Sequence, residues 1–359
     1  MKTIVFAIAA ASLILGAEVS GQAGQIVLVA GGGQGGDGSA ATQAQLDGPF
    51  GVGFDAEGTM YVVEMTGHRI RKVGPEGRLT TVAGTGKKGD SGDAGPASSA
   101  EFNGMHHLIV AKNGDIYVAD TWNNRVRKID AHSGRITAFA GTGKKGFSGD
   151  GGPALRAEFG GVYCLALDDE GKTLYLADLD NRRIRAIDLL SGVVSTVAGN
   201  GHKGVPKDGD DAKSAPLVDP RAVAVDHKGN VYILERAGHA LRVVDRSGKI
   251  RTVAGTGKQG NTGDGGDALK ATFNGPKHLS VDAQDNVLIA DTENHRIRVY
   301  HPENGTITNL AGTGRKGAAG LGKAPGDAEL SQPHGVILGP GGVVYISDSS
   351  NGRVLKITP

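Results

Sequence analysis

Asp115-Ile-Tyr-Val-Ala-Asp120, Thr121-Trp-Asn-Asn124 and Arg125-Val-Arg-Lys-Ile-Asp130 run consecutively, and their reading decides the fold. The first stretch is short, apolar and rich in strand formers between two acids, the composition of a strand rather than a helix. Thr121 to Asn124 supply turn formers. The third stretch alternates polar and apolar, as a strand with one covered face does. Upstream, His107-Leu-Ile-Val-Ala111 is an apolar run, and Asn113-Gly114 is a hairpin signal that folds it back on Asp115 to Asp120. Downstream, His132-Ser-Gly134 turns the chain again, and Arg135-Ile-Thr-Ala-Phe-Ala140 gives a fourth strand. Four short antiparallel strands joined by tight turns thus fill residues 107–140.

The unit recurs. Its closing tripeptide, Phe139-Ala140-Gly141, has counterparts in Val29-Ala30-Gly31, Val82-Ala83-Gly84, Val197-Ala198-Gly199, Val253-Ala254-Gly255 and Leu310-Ala311-Gly312. Along the chain the six copies are spaced by 53, 57, 58, 56 and 57 residues. A fixed period of this length marks a repeat architecture, in which units that cannot bury their apolar faces alone pack on their neighbours. Four strands per period make a blade, so the expected fold is all-β: a six-bladed β-propeller of four-stranded antiparallel blades. The strand count also gives closure. Five complete units follow residue 31, the last repeat supplies three strands ending at Lys356-Ile357, and a leading strand, Gln25 to Ala30, has no partners before it. The leading strand is the missing fourth strand of the final blade, which pairs the two chain ends and removes an open sheet edge.

Composition excludes several classes. The chain has 60 glycines among 359 residues, but not at every third position, which rules out a collagen. Recurrent β-branched runs argue against disorder, and the glycine reads as turn chemistry. The net charge is +1 and the basic pairs are spread one per repeat, so no field recruits nucleic acid or an anionic membrane. Lys2, the apolar run Thr3 to Gly16 and the small residues through Ala23 read as a cleavable export signal over residues 1–23. The run is short for a membrane span. The propeller then fills residues 24–359, and the expected location is secreted or periplasmic, as a monomer. Cys164 is the single cysteine, which excludes an intramolecular disulfide.

The pattern Asp115-Ile-Tyr-Val-Ala-Asp120 with Asn123-Asn124-Arg125-Val-Arg-Lys-Ile129 resembles the NHL repeat, as does the link Gly149-Asp-Gly-Gly-Pro-Ala154 with Ala157-Glu-Phe159. The resemblance covers nearly all of the chain after the signal and implies a six-bladed propeller. It leaves function open, because NHL propellers include enzymes, sensors and binding platforms.

Two polar patterns follow the repeat. The second strand ends in an acid in every unit: Glu64, Asp120, Asp178, Glu235, Asp291 and Asp348. Arginine opens the third strand in five units, at Arg69, Arg125, Arg183, Arg296 and Arg353, with Ala240 in the fourth. An acid and an arginine facing across one tight turn form a charge-assisted pair, and their recurrence makes them scaffold. The glycine-rich links lack the Gly-Lys-Ser/Thr that a phosphate loop needs. Their acids Asp37, Asp90, Asp93, Asp150, Asp210 and Asp264 leave a surface calcium site open without an EF-hand pattern.

The column that breaks the repeat lies just before the first strand of each unit: Phe50-Gly51, His106-His107, Tyr163-Cys164, Arg221-Ala222, Lys277-His278 and His334-Gly335. The innermost strands of a propeller line its central channel, so these pairs ring one mouth of it. Histidines can bind a metal or carry protons near neutral pH. Arginine and lysine suit a carboxylate or phosphate. The ring is similar to the site of peptidyl-hydroxyglycine amidating lyase propellers, and that resemblance implies zinc held by histidines of alternate blades. It maps His106 and His334 as ligands and Tyr163 as a neighbour, while Arg221 stands where a third histidine is expected and Phe50 where an arginine is.

The reading favoured by the residues is an exported binding module with its ligand site at the mouth: Phe50, His106, His107, Tyr163, Cys164, Arg221, Lys277, His278 and His334. A small molecule, glycan, peptide or protein is the partner class. One alternative is a zinc-dependent lyase or hydrolase on the same ring, with His106, His334 and His107 as ligands and Tyr163 and His278 in catalysis. Another is a structural or adhesive scaffold with an inert channel.

Overall fold

The structure, a computed structural model, describes residues 24–358; the expected export signal, residues 1–23, lies outside the described residues. The unit around Asp120 is the antiparallel sheet His107–Val110, Ile116–Asp120, Arg125–Ile129 and Ile136–Ala140. Six such sheets form a ring, and no α-helix occurs among the described residues. Thr121–Asn123 makes a single 3₁₀ turn, closed by Asn124 in the left-handed conformation at φ 52°.

The ring closes as the strand count requires. Ile26–Gly31 pairs antiparallel with Arg353–Ile357, matching Ile26 to Ile357 and Gly31 to Arg353. Blades 4 and 5 each carry a fifth, two-residue strand, Asp210–Asp211 and Gly266–Asp267, on their outer edges. These were not legible as strands because they lie in glycine-rich links. Each link runs along the outer edge of the blade it is about to enter, and its pairing there depends on the neighbouring strand.

The links also hold the core. Leu46, Phe102, Phe159, Leu217, Phe273 and Leu330 occupy equivalent link positions, and all are buried between blades. The glycine that ends each recurring tripeptide faces a carbonyl of the preceding turn. Gly199 has φ 93° and Gly312 φ 92°, where L-residues are strained. A Cβ at Gly199 would also run into the Arg182 carbonyl oxygen.

The repeated acids are fully buried, and each accepts a backbone N–H from the link that enters its own blade. Asp120 takes that of Asn103 at 2.9 Å and Asp291 that of Asn274 at 2.8 Å. Their arginine partners differ from those expected. In five blades the partner that reaches deepest is the arginine two residues further along the third strand: Arg71, Arg127, Arg185, Arg242 and Arg298. Of the five expected arginines, Arg125 and Arg353 contact their blade's acid, at 3.5 and 2.7 Å. The reason is strand alternation. A side chain two residues along returns to the same face but lies further inside, where it reaches the acid and the link together. Arg127 shows the full set, donating to the carbonyls of Glu101 at 2.8 Å and Ser91 at 3.0 Å and stacking its Cζ 5.0 Å from the Phe102 ring.

Four of the link acids considered for calcium serve this clamp instead. Asp37 binds Arg71, Asp93 binds Arg125 and Arg127, Asp150 binds Arg185, and Asp264 binds Arg296 and Arg298. Asp210 accepts the N–H of Lys207 within its own turn.

Arg242→Ala leaves Glu235 buried without its cation, so it should cost about 3–5 kcal/mol in chemical unfolding. Lys145→Ala removes an exposed pair with Asp180 and should change stability by less than about 1 kcal/mol. Equal effects would mean that the buried clamp does not hold the blades.

Candidate functional site

The irregular column sits where the inner ladders start badly. In blades 1, 3 and 4 the register slips between Pro49 and Val52, Val162 and Leu165, and Pro220 and Ala222. In blades 2, 5 and 6 the inner strand starts two residues later than in the others, at His107, His278 and Gly335. A bulge or late start frees a side chain from the pleat and re-aims it. Phe50, His106, Tyr163, Arg221, Lys277 and His334 therefore turn inward around the axis.

The six touch in sequence. Phe50 stacks on His334, with ring centroids 3.9 Å apart, and meets the edge of His106 at 5.1 Å. His106 meets Tyr163 at 4.6 Å, and the Arg221 Cζ lies 4.0 Å from the centre of the Tyr163 ring. Lys277 Nζ reaches the His334 Nε2 at 3.2 Å and the Glu293 carboxylate at 2.8 Å.

The histidine tautomers follow from their neighbours. His106 directs Nδ1 at the Gly104 carbonyl, 2.7 Å away, and His334 directs Nδ1 at that of Gln332, 2.9 Å away. Each Nδ1 carries the proton and leaves Nε2 with a lone pair. Burial pushes both pKa values down, and Arg221 and Lys277 push them further, His334 to about 2.

Arg221 differs from the other buried arginines. It is 5% exposed, yet no carboxylate pairs with it among the described residues; its enclosed Nε, like those of Arg71 and Arg185, has no hydrogen-bond partner. Arg71, Arg127, Arg185, Arg242, Arg298 and Arg353 all have carboxylates. Burial, with a smaller push from the Arg236 charge, draws its pKa down to about 10. An unpaired buried cation is costly, and such a cost at the mouth of a channel calls for an anion from outside.

One layer below, His107 and His278 meet Nε2 to Nε2 at 2.9 Å. They come from blades 2 and 5, which face each other across a six-membered ring. Cys164 packs beside them, and all three are buried. The hydrogen bonds run from the Leu165 N–H to His107 Nδ1, from His107 Nε2–H to His278 Nε2, and from His278 Nδ1–H to the Val336 carbonyl at 3.1 Å, nearer to that nitrogen than the Val336 N–H at 3.4 Å.

Comparison with known proteins agrees with the repeat. Residues 106–129, 273–300 and 330–357 match the NHL repeat, and residues 188–262 match the teneurin NHL domain. These segments fall in five of the six blades. The chain is an NHL-repeat β-propeller. It is 27% identical over 287 residues to the SUPPRESSOR OF QUENCHING 1 protein of Arabidopsis thaliana, covering 76% of this chain and 26% of that one. It is 28% identical over 298 residues to the NHL repeat-containing protein 2 of Bos taurus, covering 74% and 40%. The chain thus spans less than half the length of these relatives. Among solved structures, an auxiliary nutrient binding protein from Bacteroides thetaiotaomicron superposes with a TM-score of 0.69 at 16% identity, over 93% of this chain and 76% of that one.

In this NHL propeller the zinc set implied by the lyase resemblance does not assemble. Phe50 lies between His106 and His334, Lys277 covers the free nitrogen of His334, and His107 turns to His278 one layer down. The residues at the mouth do not fit that metal. Nor is His278 available for acid–base work, since both its ring nitrogens are engaged within the protein. Tyr163 remains at the mouth beneath Arg221.

Sequence reading missed a second rim column, two residues beyond each buried acid: Thr66, Trp122, Asp180, Ala237, Glu293 and Ser350. Trp122 edges against His106, and Glu293 pairs with Lys277. Its signal was present, because this column varies between the repeated acid two residues before it and the asparagine or glycine that follows it, at Gly67, Asn123, Asn181, Gly238, Asn294 and Asn351.

The buried histidines give the propeller an acid limit. The pKa of His278 falls to about 4 through burial, and His107 is lowered by burial and by His278. A histidine with a lowered folded pKa binds its proton more readily when unfolded. Stability is therefore complete above the unfolded value of about 6.5 and is lost as pH falls toward about 4, by up to about 1.4 kcal/mol per pH unit per histidine. Urea unfolding at pH 7.5, 6 and 5 should show this slope, and His278→Gln should flatten it.

Proposed function

We propose that this NHL propeller is an exported binding module that captures a small anionic ligand at the channel mouth. The observation that carries the reading is Arg221, an enclosed guanidinium without a carboxylate. Around it, the Tyr163 face, the His106 Nε2 lone pair and the Lys277 ammonium offer stacking, an acceptor and a second cation. A carboxylate or phosphate seated on Arg221 would supply the charge that the protein withholds. Phe50 and Trp122 would cover an apolar body attached to that anion. The propeller from Bacteroides thetaiotaomicron described as nutrient binding supports a binding role for the architecture. The N-terminal pattern of Lys2, an apolar run and small residues supports export.

A residue kept for a ligand costs stability in the ligand's absence. Arg221→Leu should leave the unliganded melting temperature unchanged or raise it, because it removes an unpaired buried cation. Thermal-shift screening with small organic carboxylates and phosphate esters should find stabilising ligands for the wild type. Arg221→Leu should weaken them at least tenfold, about 1.4 kcal/mol. A strongly destabilised Arg221→Leu, or full retention of ligand binding in it, would count against the reading.

A further inference from the structure

The axial layer beneath the mouth is not used by an anion on Arg221, and it has the composition of a ligand set. His107, Cys164 and His278 each offer one atom, and these atoms lie within 4.8 Å of one another. They are 4%, 1% and 6% exposed. No other cluster of three or more histidines, cysteines or acids is so placed among the described residues. The three come from blades 2, 3 and 5, so only ring closure brings them together. An ion bound by them would tie three blades at the axis.

The contacts around the three favour ligation unequally. His278 gives Nδ1–H to the Val336 carbonyl at 3.1 Å, which fixes the ring and leaves Nε2 as a donor toward the axis. A backbone carbonyl at the far nitrogen is how metal-bound imidazoles are usually oriented. The Cys164 thiol has only long contacts, to the carbonyls of Val223 at 3.6 Å and Leu165 at 3.7 Å. Burial pushes this thiol up to about 11, so a bound cation has to supply the charge that lets its proton leave. His107 needs one change. Its Nδ1 now accepts the Leu165 N–H at 3.3 Å, and its proton must move from Nε2 to Nδ1, giving up that hydrogen bond, for Nε2 to become a ligand.

We propose that His107, Cys164 and His278 form a buried site for a borderline-soft d¹⁰ cation, with Zn²⁺ as its occupant. Tetrahedral zinc takes imidazole nitrogen at about 2.0–2.1 Å and thiolate sulfur at about 2.3 Å, which sets the two nitrogens about 3.3 Å apart. The histidine pair at 2.9 Å has to open by about 0.4 Å, and the thiol sulfur, which lies within 4.8 Å of both, has to settle about 3.6 Å from each nitrogen to admit the ion. Binding forms one Zn–S and two Zn–N bonds and releases one proton, from the thiol. The His107 proton stays on its ring. Three protein ligands leave the fourth position for water. This set is distinct from the one expected at the mouth, since it excludes His106 and His334. The Arg221 charge faces Cys164 and His278, but the ligand set includes neither Arg221 nor the anion on it.

The test is titration of the full, tag-free chain with Co²⁺ as a spectroscopic probe for zinc. One equivalent should produce an ultraviolet thiolate-to-cobalt charge-transfer band with visible tetrahedral bands, and one equivalent of Zn²⁺ should abolish both. Cys164→Ser is nearly isosteric and should lose the charge-transfer band while keeping its circular dichroism spectrum. His278→Gln should weaken Zn²⁺ at least tenfold. Folded wild type that gives no such band overturns the site, and so does a band that survives in Cys164→Ser. The wild-type measurement decides the matter even if either variant fails to fold.

Discussion

The structure depends on one interaction made six times: a fully buried acid at the end of the second strand, held by a backbone N–H from the entering link and, in five blades, by the arginine at the third strand's third residue. A blade of four short strands has two apolar faces and cannot stand alone. Its neighbours must be docked at a fixed angle, and links rich in glycine have no rigidity of their own to impose it. The acid–arginine clamp supplies it. The arginine neutralises the acid in all five, and in blades 2, 3 and 5 it also holds link carbonyls and stacks on the link phenylalanine, so the electrostatics and the packing are satisfied by the same side chain. The sixth blade varies the solution. Leu355 replaces the deep arginine, and Arg353 reaches the acid from the strand's first residue.

Repetition of the clamp lets the axis vary. With every blade fixed from outside the channel, the first residues of the inner strands are relieved of structural duty. Their ladders slip or start late, and the side chains released there differ from blade to blade. At the upper level they close into a ring of contacts broken only between Arg221 and Lys277. At the lower level two histidines from opposite blades meet beside a thiol. The contrast between paired and unpaired arginines comes from this division. Paired arginines belong to the clamp, and Arg221, with no carboxylate, belongs to the mouth.

Much of this was legible in the sequence. The period, the strand order within Asp115 to Ala140 and the pairing of Ile26–Gly31 with Arg353–Ile357 follow from turn residues, alternation and strand counting. The mouth residues could be named because a repeat identifies the positions that depart from it. The arginine partner could not be fixed in the same way. Arg183 and Arg185 lie on the same face of one strand, and only the depth of the acid and the path of the link choose Arg185. The short strands at Asp210–Asp211 and Gly266–Asp267 were hidden for the same reason, since they exist only against an edge from another part of the chain.

Local chemistry determined the blade, and the number of blades determined closure, because strand pairing is set by residues close in sequence and a ring admits only whole blades. What the chemistry at the axis amounts to was decided by tertiary structure. His106 and His334 looked like partners in a metal site until Phe50 came between them, and His107 and His278 become neighbours across 171 residues only because blades 2 and 5 are opposite. Sequence lists the side chains at the channel; the geometry of the closed ring decides which of them meet.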